Sequence, residues 1–208
     1  MRIGTTWWIG DDQKRRGCYP YDERYPRALR SQLAAVDQEL TVLGNDPAAD
    51  RQLQQPTKFF GWWSKLEWFA PWNRDLRPCL VIDLDTFIVG DIAPILALDP
   101  ARLWLIRQFF GTKQLGESGL FIAPVDCDKI WNDVERLRER ERPYGDGDIL
   151  RQYPHSFIPD KVDGIYSYKA HKLTEGYPLG ARVICFHGQP KPPNAVGWAS
   201  SWFNFHSL

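Results

Sequence analysis

Cysteine is scarce in this chain and badly spaced for chemistry. The four present, Cys18, Cys79, Cys127 and Cys185, form no CxxC pair. That excludes a zinc knuckle and gives no disulfide framework. Cys79 and Cys185 flank or sit within apolar runs and read as buried, inert thiols. Net charge is also missing: 26 Lys plus Arg stand against 26 Asp plus Glu, so no global field draws the chain to nucleic acid or an anionic membrane. No run approaches the ~20 apolar residues of a membrane span, and the amino terminus lacks a signal-peptide core. These absences predict a soluble, cytoplasmic protein with no nucleic-acid partner. The 208 residues fit one compact domain over 1–208.

What the chain does have is aromatic weight and alternation. Ten Trp, eight Tyr and eleven Phe supply large buried areas. Residues 2–8 read as a strand. Residues 23–36 carry Ala28, Leu29, Leu33 and Val36 at helical spacing, with Pro26 in a first turn. Residues 39–46 read as a second strand and 45–56 as a loop. GWWSKLEWF (61–69) suggests a short helix, and CLVIDLDTFIVGDI (79–92) a strand buried on both faces. ARLWLIRQF and SGLFIAP are further strands. A helix capped by Asp126 or Asp128 runs through Arg142, with Ile130, Val134 and Leu137 on one face. ERLRERER (135–142) is its solvated side. ARVICFHG (181–188) is a late strand, and WASSWFNF a closing helix carrying Trp198, Trp202 and Phe203. The pattern is α/β, with helices flanking a mostly parallel mixed sheet.

Asp83 and Asp85 interrupt the greasiest strand. In a strand, residues two apart share a side, and ligands of open α/β sheets gather beyond strand carboxyl ends. Two hard oxygen ligands suit Mg²⁺ or Mn²⁺ whose other positions go to water and phosphate. Without a metal the like charges repel, so neutralising one is expected to stabilise the metal-free protein. The plainer alternative is that one aspartate caps a turn and the other pairs with Lys or Arg.

GWWSKLEWF followed by LVIDLDTFIVGDI resembles the nucleotide-sugar glycosyltransferases of GT-A type, particularly the glycogenin-like family. GESGLFIAP, YGDGDIL and CFHGQPKPPNA resemble the segments that follow in that family, in the same order over roughly residues 39–193. The resemblance implies a single GT-A-like, Rossmann-like domain that transfers sugar from a nucleoside-diphosphate sugar, most simply a UDP-sugar, to an acceptor hydroxyl. It implies that Asp83, Asp85 and His187 hold Mn²⁺ or Mg²⁺. Lys65, Leu84, Gly188 and Lys191 would lie against the donor, the two lysines on its nucleotide or diphosphate and Gly188 letting backbone approach the phosphates. A neutral His187 nitrogen suits Mn²⁺ better than Mg²⁺. Asp146 is the candidate to contact the transferred sugar or the acceptor, with turn capping in YGDGD as the alternative.

The chain also departs from that pattern. Glu117 replaces Asn or Asp before Ser-Gly, Gly147 replaces Gln after Gly-Asp, and Pro193 replaces Trp after Lys-Pro. The first two fall on the sugar and acceptor side. Two rival readings are a Mg²⁺-dependent phosphohydrolase of haloacid-dehalogenase type and a non-catalytic sugar-binding protein. The first expects its DxD on the first strand, whereas 82 residues precede Asp83. The second leaves the paired carboxylates unexplained. Most rings of residues 59–72 are expected in the core, with Trp62 or Trp63 able to line a donor pocket.

Overall fold

The chain begins with β1 (Arg2–Trp7), then helix α1 (Arg24–Ala34), β2 (Leu40–Gly44) and a two-residue β3 (Arg51–Gln52). 3-10 helices over Gly61–Phe69 and Pro71–Leu76 lead into β4 (Cys79–Ile82) and β5 (Thr86–Ile88). Helix α2 (Ala93–Leu96), β6 (Trp104–Arg107), β7 (Gly116–Ala123) and helix α3 (Asp128–Glu139) follow. Helix α4 (Asp146–Leu150), β8 (Ser156–Phe157), β9 (Ile165–Ser167), β10 (Val183–Cys185) and helix α5 (Trp198–His206) complete the order. This computed structural model describes residues 1–9, 21–55, 61–111, 115–139 and 145–208.

Among the described residues the main sheet has seven strands in the order β3-β2-β1-β4-β7-β6-β8. Only β7 is reversed, antiparallel to β4 on one side and to β6 on the other. The sheet is therefore mixed and mostly parallel, as the sequence implies. A small sheet, β5-β10-β9, pairs β10 antiparallel to β5 and parallel to β9.

The core lies on both faces of the main sheet. On β4, Cys79 and Val81 pack with Trp68, Phe69 and the α3 residues Trp131 and Val134. Leu80 and Ile82 point the other way, into a cluster with Leu29 and Leu33 of α1. A strand buried on both sides has no polar face to offer, hence its unbroken apolar sequence. Trp68 lies so close over β1 that a Cβ on Gly4 would come within 2.3 Å of its ring. The closing helix behaves as expected: Trp198 and Trp202 are 6.4 Å apart at their ring centroids, and Phe203 packs on Tyr25 at 4.9 Å.

Several boundaries differ from expectation. Residues 79–92 do not form one strand; the run divides between β4 in the main sheet and β5 in the small one. The stretch 45–56 contributes β3, an edge strand paired through Leu43 with Arg51 and Gly44 with Gln52. The late strand is confined to Val183–Cys185. Ile130 and Val134 are buried on α3 as predicted, while the Leu137 side chain, Arg142 and Cys18 lie outside the described residues. Cys79, Cys127 and Cys185 are free and buried. Among the described residues no helix is long and apolar enough to cross a membrane.

Candidate active site

The site begins where the greasy run breaks. Asp83, Leu84 and Asp85 form the turn that carries the chain from β4 to β5. The Asp83 N–H donates to the Gly119 carbonyl at 3.0 Å, and the Thr86 N–H closes the turn on the Asp83 carbonyl at 3.1 Å. The two carboxylates therefore lie together because of a crossover between sheets, not because of strand pleating. The physical reason is burial: a charge in mid-strand would be trapped between two apolar layers. Leu84, between them, is buried in the cluster that holds Trp7 and Phe87.

Each aspartate is met by a lysine. Lys65, on the 3-10 helix before β4, places Nζ 2.7 Å from Asp83 Oδ1 and 2.8 Å from Asp146 Oδ2. It also donates to the Ser118 carbonyl at 3.2 Å. Burial works against the Lys65 charge, but Asp146 and Asp83 outweigh it and hold the ammonium above its ordinary pKa. Burial raises the Asp83 carboxyl; Lys65 pulls it down, Asp85 and Asp146 push it up, and the balance lies above the usual carboxylate range. Lys191, beyond β10, pairs with Asp85 Oδ2. Tyr21 joins this pair, donating to Asp85 Oδ2 at 3.1 Å and accepting from Lys191 at 2.9 Å. The repulsion between the aspartates persists, since Asp85 pushes the Asp83 carboxyl up, but it is offset because each carboxylate has an ammonium.

His187 and Gly188 follow β10. The His187 ring lies 5.0 Å from Phe109, and its Nδ1 is 3.8 Å from Glu117 Oε2. Its Nε2 is buried with no hydrogen-bond partner among the described residues. Burial lowers the imidazole pKa and favours the neutral form. Gly119 of β7 keeps this corner open: a Cβ there would stand 3.7 Å from Asp83 Oδ2 and 3.8 Å from His187 Cε1. Gly188 has φ +64°, and a Cβ on it would meet nothing within 4 Å. Its glycine answers to left-handed backbone rather than to crowding.

Asp146 opens α4, and Asp148 takes the turn-capping role, accepting from the Gly145 N–H at 3.0 Å and pairing with Arg151. That leaves Asp146 to Lys65. Lys65, Asp83, Leu84, Asp85, Asp146, His187, Gly188 and Lys191 all line one cavity of about 480 Å³, a volume ordinary for a small-molecule site. Trp62, half exposed, lines it too. Sequence reasoning missed Tyr21 and Ser118: Tyr21 stands between Tyr19 and Tyr25 in a stretch that belongs to no motif, and Ser118 acts partly through its carbonyl.

Among the described residues no three His, Cys, Asp or Glu side chains are grouped to hold a metal as they stand. The donor chemistry still fits a divalent ion of Mn²⁺ type. Asp83, Asp85 and His187 line the same cavity, the imidazole Nε2 is buried without a hydrogen-bond partner among the described residues, and Asp83 and Asp85 are held by lysines that an ion would have to displace.

No family model and no curated protein matches the chain. Solved structures do. An active-site mutant of LgtC aligns with the whole chain at 12% identity and TM-score 0.67, with 95% of that protein covered. The galactosyltransferase LgtC in complex with donor and acceptor sugar analogues gives TM-score 0.66, again at 12% identity and 95% coverage. The fold is that of the GT-A glycosyltransferases. The apo glycosyltransferase GlyE of Streptococcus pneumoniae TIGR4 aligns at 16% identity and TM-score 0.62, the chain covering 60% of its length. At such identities the likeness is one of GT-A fold, and the glycogenin-like subfamily rests on sequence motifs alone.

Proposed function

We propose that this chain is a metal-dependent glycosyltransferase that moves a sugar from a nucleoside-diphosphate sugar, in the first instance a UDP-sugar, to an acceptor hydroxyl. The observation that carries the reading is the set of Lys–Asp contacts at one cavity, Lys65 with buried Asp146 and part-buried Asp83 and Lys191 with buried Asp85, beside the Nε2 of His187, which has no hydrogen-bond partner among the described residues. A non-catalytic sugar-binding surface has no use for so much buried charge. The phosphohydrolase reading gains nothing from a GT-A fold.

Each residue then has work to do. Asp83, Asp85 and His187 would hold Mn²⁺ or Mg²⁺, which when bound neutralises charge on the leaving diphosphate. Lys191 is a point charge for the same diphosphate. Gly188 gives the backbone the left-handed bend that brings the β10 loop to the donor. Lys65 fixes Asp146 toward the transferred sugar or the acceptor, and Leu84 closes the donor floor. The motif likeness to glycogenins implies retention of anomeric configuration.

The test is a thermal-shift screen of UDP and several UDP-sugars, each with Mn²⁺ or with EDTA. A ligand that binds only the native state stabilises it, by about 2.7 kcal/mol at a hundredfold excess over Kd. A donor is expected to raise Tm only in the presence of metal. Stabilisation that is equal in EDTA contradicts metal dependence, and no response to any nucleotide contradicts the donor class.

A further inference from the structure

Trp62 departs from the rest of its own helix. Residues 64–69 of the 3-10 helix Gly61–Phe69 are all buried, whereas Trp62 is 50% exposed. Among the described residues its indole has no hydrogen bond, ring contact or cation contact. A lone exposed ring on open surface needs no explanation. This one lines the candidate active site.

Helix geometry says which end of the cavity it serves. In a 3-10 helix side chains three apart eclipse, and three residues rise about 6 Å. Trp62 therefore stands one turn before Lys65 on the same face. Lys65 reaches Asp83 at 2.7 Å and Asp146 at 2.8 Å, so the indole belongs to the Lys65–Asp146 end. Lys191, Tyr21 and Asp85 hold the other end. Asp146 is flanked by Gly145 and Gly147, which also line the cavity. A Cβ on Gly145 would meet nothing within 4 Å, and one on Gly147 nothing closer than 3.5 Å. The wall around Asp146 is thus bare backbone, with the paired Asp148 and Arg151 beside it.

We propose that Trp62 is a stacking platform for the acceptor and that the acceptor is a saccharide. This rests on the glycosyltransferase reading above and adds its acceptor class. A pyranose ring has a face of C–H groups and a rim of hydroxyls. The face covers the indole, which offers a large apolar area. The rim meets the Asp148 carboxylate and the Arg151 guanidinium, and one hydroxyl is presented to Asp146. An apolar face with a few placed polar groups is how such cavities fix a ligand. A peptide hydroxyl offers a single oxygen and leaves the rest of this wall unmatched.

Initial rates of UDP release test this, with Mn²⁺ and the UDP-sugar that the parent hydrolyses fastest. Lactose, maltose, cellobiose and chitobiose are added in turn, against peptides containing Ser, Thr or Tyr. A disaccharide should accelerate release with a saturable KM, and the peptides should not. In Trp62→Ala that KM should rise about tenfold, the worth of a good aromatic contact, with kcat changed by about twofold or less, the mark of lost binding rather than lost chemistry. Trp62→Phe should recover most of the loss. Half exposed, the ring can be cut back without opening the core. Affinity for UDP with Mn²⁺, measured by calorimetry, should change far less than the disaccharide KM. Acceleration by none of the disaccharides overturns the proposal, whatever the peptides do. So does a Trp62→Ala protein with the parent's KM, or one whose UDP affinity falls as far as its saccharide affinity. All three leave the donor reading standing as long as the parent releases UDP to water. No release from any UDP-sugar removes that reading and this proposal together.

Discussion

Asp85→Asn separates the electrostatics of the pocket from its shape. Asp85 is 3% exposed and Lys191 8%, and the Asp85 carboxylate accepts from both Lys191 and Tyr21. Removing one partner of a buried ion pair costs about 3–5 kcal/mol, because the other charge stays buried without compensation. Here an amide oxygen and the Tyr21 hydroxyl still accept from Lys191, which places the loss near the lower bound, about 3 kcal/mol. For a chain of 208 residues, 1 kcal/mol shifts Tm by about 2–4 °C, so the melting point should fall by about 6–12 °C. The paired variant Asp85→Asn/Lys191→Met should recover most of the loss, since neither charge is then stranded. Urea unfolding of the metal-free protein, followed by tryptophan fluorescence, measures the whole cycle. An Asp85→Asn protein as stable as the parent, or more so, would refute the reasoning and make the repulsion argued from the sequence the larger effect.

Glu67 is fully buried, accepts the Gln54 and Gln55 N–H groups at 2.9 and 2.8 Å, and has its pKa raised chiefly by burial. A raised folded-state pKa gives stability that is complete below the unfolded value, about 4.3, and is lost as pH rises past it. Glu67→Gln removes this titration, so the parent's stability should fall relative to the variant's as pH rises from about 4 to about 7; a parent that instead gains on the variant over that range in urea titrations contradicts this. Gly188→Ala should destabilise by about 1–2 kcal/mol through its left-handed backbone alone, and a crystal structure should show no displaced neighbour. Gly4→Ala should do worse, about 3 kcal/mol or more, because the Trp68 ring must move; thermal melts rank the two.

The parts of the site that were legible in the sequence are those that travel as short local strings. Asp83 with Asp85, His187 with Gly188, and the lysines at 65 and 191 each sit in a recognisable segment, and the fold brings these segments to one cavity. Tyr21 had no such string and emerged only when its hydroxyl was found between Asp85 and Lys191. The sheet was legible as α/β because strands such as Leu80–Ile82 are apolar on both faces. The same uniformity hid two things. It cannot tell that Gly116–Ala123 runs against its neighbours, and it masked the change of sheet between Ile82 and Thr86, where the apolar run looks continuous. The aspartates mark that break, and a rule that buried strands exclude charge would have found it.

The central claim is metal-dependent sugar transfer from a nucleotide sugar, and it is tested most directly by UDP release. Incubated with a panel of UDP-sugars and Mn²⁺, the parent should liberate UDP slowly by transfer to water, and faster with a suitable acceptor. Release should stop in EDTA, and Asp83→Asn should lose it in the presence of Mn²⁺ while retaining a cooperative melt. Release that persists in EDTA, or an Asp83→Asn protein as active as the parent, would contradict the account.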